Sequence, residues 1–223
     1  MAIYAATPPS LGYSSFSGVS RAIPVNVPCG SAEAYQSATY WNLFTNIQEI
    51  CSQQTVTLFQ GTNWVSFNVE ITLDDLKAAL VEALGNTSIV IVSQDNGQAI
   101  WNGRLWTGQL RTLDLTRMYK ITVPADCEIT LEAIPINPAD YPVTIKSGIN
   151  WIGFPFSESM PIATAFGDFA TRLDVVKSQD SGQATWNGQL WTGQLKNLEP
   201  GKGYIYQSAA TESRTFTFPT GAK

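Results

Sequence analysis
Four tryptophans are the side chains whose type and spacing could do chemistry in this chain. They sit in two copies of one stretch, Ser93–Leu110 (SQDNGQAIWNGRLWTGQL) and Ser178–Leu195 (SQDSGQATWNGQLWTGQL), identical at fifteen of eighteen positions. A displayed pair of indoles can stack on the apolar face of a sugar ring or on a protein partner. Gln98, Gln109, Gln183, Gln194, Asn102 and Asn187 stand beside them to orient such a ligand by hydrogen bonds. The candidate ligand-contacting residues are therefore Trp101, Arg104 and Trp106 in the first copy and Trp186, Gln189 and Trp191 in the second. Packing is the competing and favoured reading: large aromatics at alternating spacing usually turn inward and bury their area.

Catalysis has little footing. The chain has no histidine, which removes His-based triads and the commonest metal ligand. Cys29, Cys51 and Cys127 form no CxxC pair. Free buried thiols are their expected state, with a Cys29–Cys51 bridge as the alternative. The carboxylates are scattered. Asp74-Asp75 reads as charge at a helix N-terminus, and Asp95 and Asp180 read as turn residues. One carboxylate per turn is too few for calcium, which takes about six to eight oxygens. Pro200-Gly201-Lys202-Gly203 lacks the phosphate-loop spacing and is expected to be a turn. Asn86-Thr87-Ser88 is a formal glycosylation sequon, without expected meaning in a bacterial or phage product. The expectation is a non-enzyme with no cofactor and no metal.

Composition narrows the partners. Of 223 residues 44% are apolar and 14% charged, which suits a globular β-rich chain. A net charge of −5 gives no basic footprint for nucleic acid. No apolar run is long enough to span a bilayer.

The hairpins need strands to hold them. Asn-Gly between alternating residues predicts a two-residue turn at Asn102-Gly103. That register sets Trp101 opposite Arg104, Ile100 opposite Leu105 and Ala99 opposite Trp106, with the two indoles as diagonal neighbours on one face. Around each hairpin the sequence predicts a β-rich module, the first over 54–137 and the second over 141–219. Gly61-Thr62-Asn63-Trp64-Val65-Ser66-Phe67 is answered by Gly148-Ile149-Asn150-Trp151-Ile152-Gly153-Phe154. A helix opens at Thr72 with Leu73, Leu76, Leu80 and Leu84 on one face, and a weaker one is expected over 162–169. Strands are expected at 55–69 with a break near Gly61, and at 88–92, 118–123, 128–133, 173–177, 204–207 and 214–218. Trp64 and Trp151 are 87 residues apart and Trp106 and Trp191 are 85 apart, so the second copy is shorter near its helix. A period this long indicates duplicated domains. The fold class is thus mainly β: two duplicated β-rich domains, each with one short helix.

Ahead of them, residues 1–30 mix Pro8, Pro9, Pro24 and Pro28 with glycine and serine and read as an extended arm. Tyr4, Leu11, Tyr13 and Phe16 are too apolar for a plain linker, so the arm is expected to dock on its own module or on a neighbour. Residues 31–53 form a connector, with a helix predicted over 31–51 from a Ser31 cap and the spacing of Tyr40, Leu43, Phe44, Ile47 and Ile50.

The order GxNWxxF, helix, KSQ, Trp hairpin, LxPGxGYxY resembles a tandem repeat of secreted and surface proteins of Bacteroidetes. Gly148–Phe154, Lys177-Ser178-Gln179, Trp191–Leu195 and Leu198–Tyr206 carry it, with Met118–Ile121 and Ile136–Asp140 at the joint. The resemblance covers residues 54–219 and implies non-enzymatic repeats in larger extracellular chains. Met1-Ala2-Ile3-Tyr4 lacks the basic and apolar regions of a signal peptide, which suits a phage virion component assembled in the cytoplasm. The expected function is a structural or attachment protein. Its arm is anchored on other protein subunits of an assembly, and its repeats project outward. The alternative is a secreted adhesin whose Trp hairpins bind a cell-surface glycan, with duplication adding avidity.

Overall fold
The computed structural model describes residues 1–219. The described chain forms two compact units, Met1–Gln53 with Glu132–Pro135, and Gln54–Leu131 with residues 136–219.

In the first unit, strand β1 (Val25–Pro28), helix α1 (Ala32–Ser37) and strand β2 (Ile47–Ile50) frame a small core. β1 and β2 run parallel, Val25 beside Ile47 and Pro28 beside Ile50. The helix predicted over 31–51 is corrected: it ends at Ser37, and the chain turns through Tyr40 at φ 68°. Ile47 and Ile50 then enter a strand, because pairing with β1 satisfies their backbone and β1 supplies the buried Val25 and Val27. Residues 1–30 also join this core. The Met1 amine donates to Pro24 O (2.7 Å), Tyr35 OH donates to Ala5 O (2.6 Å) and Trp41 Nε1 to Pro9 O (2.9 Å). Cys29 and Cys51 are joined in a disulfide, so the expected free thiols are corrected for this pair, while Cys127 is free. The two cysteines abut the ends of β1 and β2, whose pairing brings them together.

The first repeat contains β3 (Ser52–Leu58, whose first two residues belong to the first unit), β4 (Gly61–Val65), α2 (Leu73–Leu84), β5 (Ile89–Val92), β6 (Gln98–Trp101), β7 (Trp106–Gly108), β8 (Tyr119–Val123) and β9 (Cys127–Ala133, whose last two residues belong to the first unit), and otherwise lies in the second unit. The second contains β10 (Val143–Ile145), β11 (Gly148–Ile152), β12 (Met160–Pro161), α3 (Ile162–Phe166), β13 (Val175–Lys177), β14 (Gln183–Trp186), β15 (Trp191–Gly193), β16 (Asn197–Leu198), β17 (Tyr204–Ser208) and β18 (Arg214–Phe216). Each repeat builds a five-stranded sheet of the same order, β4-β8-β5-β6-β7 and β11-β17-β13-β14-β15. All pairs in both sheets are antiparallel. The protein is mainly β.

Local chemistry explains the shared sequence. Asn63 closes the turn before β4, its Nδ2 donating to Phe59 O (2.8 Å) and its Oδ1 accepting from Phe59 N (2.9 Å). Asn150 does the same with Lys146, both bonds at 2.8 Å. Tyr119 OH accepts from Asp114 N and Tyr204 OH from Glu199 N, each at 2.6 Å. Burial pushes the Tyr119 phenol up to about 12 and the Tyr204 phenol higher, so both remain protonated. Thr72 and Asp75 form a reciprocal capping box at the start of α2, and Leu73, Leu76 and Leu80 are buried.

The two repeats interlock as one compact unit through the Ser-Gln pair that precedes each hairpin. Gln94 Nε2 donates to Ile149 O (2.8 Å) while its Oε1 accepts from Trp151 N (2.6 Å). Reciprocally, Gln179 Nε2 donates to Thr62 O (2.6 Å) and Oε1 accepts from Trp64 N (2.7 Å). Each amide thus acts as a surrogate strand for the exposed edge of the other repeat's GxNW strand.

Candidate functional site: an aromatic groove in the first repeat
The hairpin register differs from the one Asn-Gly predicts. Trp101 pairs directly with Trp106, Ile100 with Thr107 and Ala99 with Gly108. The turn therefore spans Asn102–Leu105, with Asn102 N donating to Leu105 O (3.3 Å). Asn102 Oδ1 accepts from Arg104 N and Leu105 N, both at 3.0 Å, and it is this side chain that organises the longer turn. The slip is two residues, so both indoles keep the expected face but stand opposed instead of diagonal. The copy repeats this, with Trp186 paired to Trp191 and Asn187 Oδ1 accepting from Gln189 N and Leu190 N (2.8 and 3.0 Å). Arg104 and Gln189 consequently project from exposed turns and do not flank the indoles on the strands. Gly103 (φ 90°) backs onto Asn86 O, where an added Cβ would approach to 2.3 Å.

The two tryptophan pairs have different surroundings. In the first repeat, Trp101 and Trp106 are half-buried, with ring centroids 5.7 Å apart and planes at 39°. Trp101 Nε1 donates to Gly85 O (3.0 Å) just beyond α2, which fixes the hairpin against the helix. Between them runs an open groove of about 490 Å³, walled by Trp101 and Trp106 on the sheet and by Asp74, Lys77, Ala78 and Val81 on α2. Lys77 Nζ lies 3.2 Å from Asp74 Oδ1 and 5.8 Å from the Trp106 ring centre. An ammonium and a carboxylate thus stand at the rim of an aromatic floor. That combination can hold a flat apolar face and hydrogen-bond a hydroxylated edge.

In the second repeat the same place is filled. α3 has only five residues, with Pro161 before it and no side-chain cap. Phe166 at its end packs 5.7 Å from Trp191, and also against Tyr206 (5.1 Å), Phe216 (5.5 Å) and Phe218 (6.1 Å). Trp191 is 8% exposed and belongs to the core of that repeat, with Trp186 packed against it. The choice between core and platform therefore divides by repeat. In the second pair Trp191 is core and Trp186 is partly buried against it, whereas both indoles of the first pair are partly displayed.

The arm residues also divide. Leu11 and Phe16 pack on the core formed by Val25, Val27, Tyr35, Trp41 and Phe44, and Phe16 meets Trp41 and Phe44 edge-on at 5.1 Å. Tyr4 and Tyr13 are 75% and 89% exposed. A further aromatic cleft, of about 350 Å³, lies where the repeats meet, between Phe59, Trp64, Gln179 and Lys202. Asp74, expected only as charge at the helix N-terminus, and Lys77 line the first groove, and Trp64, expected only as part of a strand, lines the second cleft. Lys77, one turn from both Leu73 and Leu80, and Asp74 flank the buried leucine face of α2, and that placement was the available signal for the two.

Several titratable groups of the second repeat are tied into its fold. Asp174, fully buried, accepts from Thr171 N (2.8 Å), Ala209 N (2.7 Å) and Tyr206 OH (2.5 Å) and pairs with Arg214 (3.2 Å). Burial, and then Asp174, push the Tyr206 phenol far up. The Lys202 ammonium at 2.6 Å holds the half-exposed Asp180 carboxyl down at about 2. Among the described residues, one group has metal-ligand spacing, Cys29, Glu49 and Cys51, and its two sulfurs are joined in the disulfide. Neither a scan of protein-family models nor searches of curated proteins and of solved structures returned a match for the chain.

Proposed function
We propose that this chain is a non-enzymatic attachment protein acting outside the cytoplasm, on a virion or a cell surface. In this reading the doubled β unit is a rigid carrier, and its first-repeat groove engages a cell-surface glycan. The N-terminal unit, with Tyr4 and Tyr13 displayed, meets other protein subunits of the assembly.

The groove is the observation that carries the proposal. The second repeat places Trp191 in its own core under Phe166, while the first keeps both rings half-exposed beside a helix face carrying Lys77 and Asp74. The disulfide supports an oxidising setting. The absence of histidine from the sequence and the fold-serving use of Asp174, Tyr119 and Tyr204 favour a binding role over catalysis. The resemblance to Bacteroidetes surface repeats points the same way.

The test is a glycan array probed with the full chain, beside Trp106→Ala and a control substitution of the exposed Leu190, which lies away from the groove. Binding that the Trp106 variant loses and the Leu190 variant keeps is the expected result. A folded chain that binds nothing, or binds equally well without Trp106, removes the glycan reading.

A further inference from the structure
We propose that the face between the two repeats is a heterotypic docking surface: each repeat is shaped to accept the other and to refuse a copy of itself. The repeats meet through equivalent segments. Ser66 N donates to Gly201 O (3.1 Å), and Gly153 N, one repeat later, donates to Thr116 O (2.9 Å). With the Gln94 and Gln179 bonds these contacts repeat about a pseudo-twofold axis. At two places nearest the axis the side chains break that symmetry, each time as a knob against a gap.

Met118 precedes Tyr119, and Gly203 holds the equivalent place before Tyr204. Met118 is fully buried, and its side chain fills the space where Gly203 has none. A Cβ on Gly203 would lie 2.1 Å from Met118 Cγ and 2.7 Å from its Cβ. Ser66 and Gly153 form the second pair. The buried Ser66 hydroxyl donates to Lys202 O (2.6 Å) and accepts from Phe154 N (3.1 Å), both in the other repeat. A Cβ on Gly153 would meet Arg117 O at 3.1 Å and Ser66 Cβ at 3.3 Å.

These pairs cannot be satisfied homotypically. Two first repeats would set methionine against methionine where the present approach leaves no room for even one extra carbon. Two second repeats would set glycine against glycine, leaving a void, and would lack both serine bonds. Divergence at these four positions thus converts a duplicated surface into an ordered pair. It disfavours association of like repeats between neighbouring molecules, a hazard for any protein displayed at high local concentration.

The test exchanges knob and gap in the full chain. Gly203→Met alone is expected to lower the folding equilibrium constant about tenfold to a hundredfold through overpacking. Met118→Gly alone is expected to lower it about thirtyfold or more through the cavity left. The double exchange, Met118→Gly with Gly203→Met, is expected to lose at least about tenfold less than the two effects multiplied. The milder pair Met118→Ala and Gly203→Ala, separately and together, provides the same cycle if a larger variant fails to fold. Hydrogen exchange at the Ser66 and Gly153 amides should accelerate in each single variant and recover in the double one. Multiplicative losses in both cycles, or amide protection unaffected by Gly203→Ala, overturn the proposal.

Discussion
Asp174 offers the sharpest test of how the second repeat is held. Its carboxylate is fully buried and satisfies two backbone amides, the Tyr206 hydroxyl and the Arg214 guanidinium. Asp174→Ala strands all four at once. Removing one member of a buried pair costs about 3–5 kcal/mol. Arg214 retains 29% side-chain exposure and can rehydrate, so the loss should lie near the lower end, about 3 kcal/mol. The first repeat solves the same position differently: Ile89, Ile121 and Ile129 stand where Asp174, Tyr206 and Arg214 stand, and Pro124, which has no N–H, stands in place of Ala209. The network is therefore replaceable as a set. Changing all three residues to isoleucine removes the charges and the Tyr206 hydroxyl together, leaves only the Thr171 and Ala209 amides without their acceptor, and should cost at least about 2 kcal/mol less than the three single losses added. Urea unfolding followed by tryptophan emission measures each variant. Additive losses, or an Asp174→Ala loss under about 1 kcal/mol, would refute the reasoning.

Other outcomes follow from the same contacts. Trp191→Ala should cost about 3–5 kcal/mol, whereas Trp106→Ala, half-exposed in its groove, should cost less than half of that in the same urea series. Breaking the Cys29–Cys51 bridge by a double serine substitution frees a loop with a separation of 22 residues and should destabilise the N-terminal unit by about 3 kcal/mol, read by thermal melting with and without reductant. Asp180 has a lowered folded-state pKa of about 2, so its contribution is present above the ordinary carboxylate range and is lost as pH falls towards 2. Because both partners are about half exposed, Lys202→Met should cost under about 1 kcal/mol at pH 7, with the difference from the parent vanishing in acid titrations near pH 2.

Much of the β unit was legible because its signals are local. Thr72 and Asp75 mark the start of α2, Leu73, Leu76 and Leu80 mark its buried face, and the repeated GxNW segment, with Tyr119 and Tyr204 in the later strands, marks the sheets. Three features were not legible, each for a physical reason. Residues 31–51 carry a helical spacing, yet Ile47 and Ile50 are claimed by a parallel partner at Val25–Pro28, a long-range contact that leaves no local trace. The Asn-Gly pair favours a two-residue turn, but the Asn102 side chain caps a four-residue one, and the even slip preserved the faces while changing the partners. The groove depends on what lies across from the indoles. Twelve residues of α2 leave it open, whereas five residues of α3 bring Phe166 onto Trp191, a difference that nearly identical hairpins cannot reveal.

The first repeat leaves both indoles half-exposed, where we propose a glycan docks, while the second buries Trp191 with Trp186 packed against it. Indole N–H resonances of the full chain, followed by NMR during titration with the best glycan from the array, test this docking most directly. The expected result is that the Trp101 and Trp106 signals shift saturably while Trp186 and Trp191 stay in place. Shifts confined to other tryptophans, or no indole shift under saturating glycan, would contradict the account.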